Sequence, residues 1–308
     1  MQGTTMSGLF SRILVAVDGS EPAIIAAAVG ARLAREHGGE LSLCFCANWK
    51  PLIAQFESIG AVVDPTPTID ALKERGRRLL REATAIAARS GVKALARTAA
   101  GDPAVTIPEL ARETASTLIV MGTHDGAGVQ RLLVGSTTNA VLRRSCVPVL
   151  TVRPGIVLAD ETRRCFQRIL VATDGSDRSA GAVETAVTLA PEDRRELVFC
   201  SVAEAGRTSV GEAQAAVERA LDHACAHGAR AQGRVLAGSP GVVLPEAAQS
   251  ARADLIVLGA HGCGEAAHDV LGSVAERIVR TAPLPVLIVR TTPAIATRAA
   301  ARQEGSLV

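Results

Sequence analysis

Four residues, Gly259, Gly262, Gly272 and Ser273, are spaced through "GAHGCGEAAHDVLGSV" (Gly259–Val274), directly after the apolar run "DLIVL". Glycine lets a backbone approach an anion closely. A Gly-Ser pair that opens a helix offers unpaired N–H groups and the positive end of the helix dipole. Such a loop can cradle a phosphate. It can equally be a plain strand-to-helix turn, which needs glycine and serine for its own geometry. An upstream copy, "GTHDGAGVQRLLVGST" (Gly122–Thr137), carries Asp125 where the later one has Gly262. Two further carboxylates, Asp18 and Asp174, each close a short apolar run. Each is suited to accept hydrogen bonds from a sugar or a base amine, or to cap the following turn.

Other chemistries fit less well. A P-loop needs a lysine just before its Ser/Thr, and Gly272 stands there instead. A dinucleotide fingerprint belongs after the first strand, where "DGSEPA" and "DGSDRS" do not supply it. Repetition draws attention to His124 and His261, but both read as packing or hydrogen-bonding loop residues. His261, Cys263, His268 and Asp269 match no standard zinc spacing. No nucleophile is flanked by a base and an orienting acid, so no catalytic residue is assigned. Slow ATP hydrolysis stays open, with Asp269 or Glu265 as the groups to position Mg²⁺ and water.

The elements that must position these residues are written twice. "RILVAVDGSEPA" from Arg12 returns as "RILVATDGSDRS" 156 residues later, and "VPVLTVR" from Val147 returns as "LPVLIVR" 137 residues later. The first copy therefore holds 19 extra residues, within an insertion spanning 47–69. Such repetition is the mark of a duplicated unit. It divides the chain into 9–153, a linker at 154–167, a second unit at 168–290 and a tail at 291–308. In each half, short apolar strands alternate with helices, the pattern of a mostly parallel α/β sheet covered on both faces. The expected strands of the second half are 169–173, 197–202, 230–236, 255–258 and 285–289. Helices are expected over 179–189 and 210–227, after "GSPGVVL", and from Gly272. Pro148 and Pro285 lack amide donors, which places the fifth strands at a sheet edge or in partial pairing, where two halves could meet.

Composition narrows the partners. A net charge of +2 with no basic block, and 2% aromatic residues, argue against nucleic acid. No apolar run is long enough to span a membrane, and the first residues lack the order of a secretion signal. Seven scattered cysteines without a CxxC pair suit a reducing compartment, and a cytoplasmic protein is expected. Cys44 and Cys46 share one strand face, and most of the cysteines read as small buried hydrophobes.

The order "ILVAVDGS", a long α/β run, "VMGTH…GS" and "VPVLTVR" resembles the universal stress protein family over nearly the whole chain, as two fused domains. The resemblance implies an α/β fold of two tandem adenine-nucleotide-binding (Rossmann-like) domains. Each would be a five-stranded parallel sheet of order 3-2-1-4-5, the two forming an intramolecular pseudo-dimer. It also implies ATP, with or without Mg²⁺, or another adenine nucleotide as ligand, and a regulatory role in stress adaptation. By position, Asp174 and Val202 would meet the ribose and adenine, Leu258 and Gly259 would line the floor, and Gly262, Gly272, Ser273 and Val274 would hold the phosphates. The first-half counterparts are Asp18, Cys46, Met121, Gly122, Gly135, Ser136 and Thr137, ranked second because Asp125 sets a negative side chain where backbone should meet phosphate. The second half has its own departure, with His268 in place of Arg131. The halves are expected to associate with each other, and a homodimer of chains stays open. A protein-interaction scaffold with decayed pockets is the competing reading, and a weak Mg²⁺-dependent ATPase the third.

Overall fold

A computed structural model describes residues 8–50, 54, 64–123, 135–155, 164–193, 195–260 and 271–290. The chain forms two compact units, one built on 1–147 with 152–158 and the other on 159–308 with Pro148–Thr151.

In the first unit, β1 (Arg12–Ala16) leads through Asp18-Gly19-Ser20 into α1 (Glu21–His37). Then come β2 (Glu40–Ala47), α2 (Thr66–Arg89), β3 (Ala94–Ala100), α3 (Pro103–Glu113) and β4 (Leu118–Gly122). The half ends with α4 (Ser136–Arg144) and β5 (Val149–Val152). Its helix ends are chemically marked. Ser20 caps α1 through its side chain, Asp102 caps α3, and Gly38 closes α1 in the left-handed conformation at φ 62°.

The second half repeats the alternation: β6 (Arg168–Ala172), α5 (Asp177–Asp193), β7 (Glu196–Ala203), α6 (Val210–Ala226) and β8 (Arg230–Ala237). It continues with α7 (Pro240–Ser250), β9 (Leu255–Gly259), α8 (Ser273–Thr281) and β10 (Val286–Val289). A capping box of Ser209 and Glu212 opens α6. The apolar runs of β1, β4, β5, β6, β9 and β10 are buried almost throughout, as parallel strands covered on both faces must be.

The α/β class and the order 3-2-1-4-5 of the first half are as expected. Two separate five-stranded parallel sheets are not what forms. The strands make one mixed sheet in the order β3-β2-β1-β4-β5-β10-β9-β6-β7-β8. One ladder is antiparallel: within the second compact unit, Val149, Leu150 and Thr151 of β5 pair with Ile288, Leu287 and Val286 of β10. The prolines therefore do not make the fifth strands edges. Pro148 lies just before β5 and Pro285 just before β10, so neither removes a donor from the ladder, and β3 and β8 are the edge strands.

One core position is at odds with its surroundings. Ser201, on β7, is 1% exposed, and its hydroxyl has no hydrogen-bond partner among the described residues. Its counterpart in the repeat is Phe45, a buried apolar residue. Removing an unsatisfied buried hydroxyl relieves its desolvation cost. Ser201→Ala is expected to raise stability by about 1 kcal/mol, read from urea unfolding. A loss of stability would mean that the hydroxyl is bonded in solution.

Candidate functional site

The site of the second half is built where three neighbouring parallel strands end. Register sets Ile169 of β6 beside both Leu197 of β7 and Leu255 of β9, so the carboxyl ends of all three fall on one edge. Asp174 follows β6. Val202, 8% exposed, lies near the end of β7, and Leu258 and Gly259 end β9. Gly272 is the N-cap of α8, and Ser273 and Val274 are its first two residues. Ala260 N–H donates to Val289 O (2.8 Å), tying the end of β9 to that of β10.

Glycine cannot cap a helix with a side chain, and α8 has no side-chain cap. Its first intrahelical bond runs from Glu276 N to Gly272 O. The amides of Ser273, Val274 and Ala275 thus have no place in the helical ladder, and they carry the positive end of the dipole. The first half repeats this with Gly135 as N-cap, and Ser136 and Thr137 opening α4. There Thr138 Oγ1 donates to Gly122 O (3.0 Å), joining the first turn of α4 to the end of β4. Thr138 escaped the sequence reading because its counterpart is Ala275, and the repeat drew attention only to positions that recur.

Both aspartates engage their own turns. Ser20 donates to Asp18 Oδ1 through N–H (2.9 Å) and Oγ–H (2.6 Å), and Ser176 donates to Asp174 Oδ1 in the same two ways. The capping role is therefore real in each half. For Asp174, lost hydration pushes the carboxyl up, but the hydrogen bonds from Ser176 and Ser179 outweigh it and leave it below the usual carboxylate value. It is an anion at neutral pH.

Gly122 and Gly259 have a packing reason of their own. A Cβ on Gly259 would lie 2.4 Å from Arg178 O, and one on Gly122 would lie 2.5 Å from Pro22 Cβ and 2.6 Å from Pro22 C. In each half the first turn of the helix after the first strand crosses the end of the fourth, and only glycine lets it pass.

A cation missed by the sequence reading flanks Asp174. Gly175 has φ +74°, and a Cβ there would lie 2.2 Å from Arg219 Nη2 and 3.0 Å from Ala216 Cβ. The bare turn lets the Arg219 guanidinium of α6 lie against it. In the first half Leu79 takes this place, 2.7 Å from a Cβ on Gly19, and the repeat puts Glu82 where Arg219 stands. Nothing in the sequence around Arg219 marks it, since the contact joins residues 44 positions apart.

In the first half, Asp18 follows β1, Cys46 lies on β2 and Met121 and Gly122 end β4. Gly262, together with His124, Asp125, Arg131, His261, Cys263, Glu265, His268 and Asp269, lies outside the described residues. So do most of the insertion, part of the linker and the tail. Among the described residues no group of three or more His, Cys, Asp or Glu is placed to hold a metal. No helix among them is long and apolar enough to cross a membrane. An open hollow of ≈ 550 Å³ lies beyond β7 and β8, between Ala203, Ala237 and the turn Glu204–Ser209. None of the predicted site residues lines it.

Repeated α/β halves, each with a helix after its fourth strand that starts without a side-chain cap, define a tandem protein of the class that meets ligands at strand ends. The chain belongs to the universal stress protein family: the family's model matches residues 9–153 and 166–290. The Bacillus subtilis universal stress protein YxiE is 33% identical over 149 residues, covering 47% of this chain and 100% of that protein. A universal stress protein of Methanocaldococcus jannaschii is 30% identical over 145 residues, covering 47% of this chain and 83% of its own. Among solved structures, a universal stress protein from Archaeoglobus fulgidus superposes with a TM-score of 0.72 at 24% identity, covering 92% of this chain and 97% of that one, which speaks to the fold.

Proposed function

We propose that the second half binds an adenine nucleotide, ATP with or without Mg²⁺, and that occupancy makes the protein a ligand-responsive regulatory module in stress adaptation. The observation that carries the reading is that β6, β7 and β9, which lead to Asp174, Val202 and Leu258–Gly259, end along one sheet edge, and that the following helix α8 starts without a side-chain cap. The donor set suits a nucleotide: backbone N–H groups for an anionic tail, a carboxylate for ribose hydroxyls, and apolar Val202 and Leu258 for a base. Ser273 and Val274 open the helix that would face the phosphates, and Gly262 and Gly272 are the glycines that would let backbone approach them. Arg219 adds positive charge beside the Asp174 turn. The first-half site, at Asp18, Cys46, Met121, Gly122, Gly135, Ser136 and Thr137, is the weaker because Asp125 opposes an anion.

A scaffold without nucleotide is favoured by one observation, that both aspartates already serve their own turns. Denaturing the natively purified protein and identifying the released small molecules separates the two. The expected result is ATP at a fixed ratio to protein, with Gly262→Asp, which copies Asp125, lowering affinity at least tenfold by calorimetry. Absence of released nucleotide, with no binding heat from ATP with or without Mg²⁺, would establish the scaffold.

A further inference from the structure

The first half carries a pair of thiols, of which Cys46 also stands at the weaker, first-half nucleotide site while Cys44 has no part in the nucleotide reading. Cys44 and Cys46 are alternate residues of β2, so both project from one face of the strand. Cys44 is 1% exposed and Cys46 is half-buried, so the pair is open from the Cys46 side. Interaction between the two thiols lowers the pKa of Cys46, against burial and the Asp102 carboxylate, and raises that of Cys44 together with burial. One partner is thus biased toward thiolate, the nucleophilic form. The repeat holds Cys200 and Val202 at these positions, so the dithiol belongs to the first half alone.

We propose that Cys44 and Cys46 form a chelating dithiol for soft thiophilic electrophiles, with trivalent arsenicals as the ligand class. A disulfide is poorly suited to the pair. Alternate residues of an extended strand have Cα atoms about 6.7 Å apart with parallel side chains, at the limit of disulfide geometry. A single arsenic atom bridges a wider gap than a direct S–S bond. Zinc would ask for four ligands, and no third His, Cys, Asp or Glu joins the pair among the described residues. An arsenical bearing one organic substituent asks for two sulfurs and no more, and soft thiolates select soft acceptors. With phenylarsine oxide the step balances without an oxidant. Two As–S bonds form, the arsenic–oxygen bond breaks, and the oxygen leaves as water with the two thiol protons. Arsenic stays trivalent.

The test uses the full, reduced chain with one equivalent of phenylarsine oxide, followed by intact and peptide mass spectrometry. The expected result is one adduct per chain on the β2 peptide, stable to excess glutathione and removed by dithiothreitol. Cys46→Ser and Cys44→Ala are each expected to lower retention under glutathione at least tenfold, and Cys200→Ala to leave it unchanged. Cys46→Ser alters a half-exposed position, so its far-ultraviolet circular dichroism should match that of the parent. An adduct on another cysteine, removal by glutathione, or unchanged retention in Cys46→Ser would overturn the proposal.

Discussion

Arg195→Ala is expected to destabilise the second unit by about 3–5 kcal/mol, the range for orphaning buried polar groups around a lost charge. Arg195 stands one residue before β7 and is 1% exposed. Its Nε donates to Phe166 O (2.9 Å), its Nη1 to Leu189 O (2.8 Å) and its Nη2 to Cys165 O (3.4 Å). One planar group thus ties the chain entering β6 to the C-terminal part of α5. Asp254 works on the same segment, accepting Gln167 N–H (2.7 Å) and Arg168 N–H (3.0 Å). Alanine would leave the carbonyls without this donor and open a cavity where the guanidinium lay. Urea unfolding followed by circular dichroism reads the loss. Arg195→Met separates the two causes: it refills the volume but supplies no donor, so it should recover only part of the stability. Full recovery would show that packing, not hydrogen bonding, makes the residue necessary.

The repeat explains why such a residue could not be found from the sequence. In the first half Gly39 occupies the position of Arg195, and a Cβ there would lie 2.0 Å from Phe10 O. Phe10 and Phe166 correspond, so two solutions serve one place: bare backbone against a carbonyl, or a long cation donating to it. In "EDRRELVF" an arginine beside a helix end reads as a solvated charge, and only tertiary packing reverses that.

What was legible is what depends on local pattern. Runs such as "ILVAV" and "LIVLG" announce strands buried on both faces, and "DGS" followed by an alanine-rich stretch announces a turn and a capped helix. The halves were legible because two independent stretches recur at consistent offsets. Less legible was where elements stop. The expected helix from Ser179 ends near Leu189, before Pro191, yet α5 runs on to Asp193. The ladder of β5 with β10 forms at the fifth strands, where a meeting of the halves was expected, but the prolines are not the reason: Pro148 and Pro285 precede the paired residues rather than weakening them. At the site, the strand-end and helix-start residues fall where the repeat suggested, but Thr138 and Arg219 act through contacts that no local spacing records.

Gly259→Ala tests how far packing and binding share one residue. Its expected cost is about 2–3 kcal/mol, the scale of forcing one extra carbon into a packed place. The new Cβ would meet Arg178 O at 2.4 Å, Arg178 C at 3.2 Å and Ser179 Cα at 3.4 Å, all backbone atoms of the first turn of α5. A side chain could rotate away, whereas a capped helix start must shift as a body. That turn is held by Ser176, whose Oγ accepts from Ser179 N–H (3.3 Å) and whose own N–H donates to Asp174 (3.0 Å), so the shift reaches the Asp174 carboxylate. ATP affinity should therefore fall along with stability. Gly122→Ala makes the matching change in the first half, against Pro22 and Ala23, with contacts of 2.5 to 2.8 Å. It should cost similar stability while leaving the amount of ATP bound per folded chain unchanged. Unfolding and calorimetry on both variants decide the matter. Equal loss of ATP binding in the two would mean that binding follows general stability, and the assignment of the nucleotide to the second half would fall.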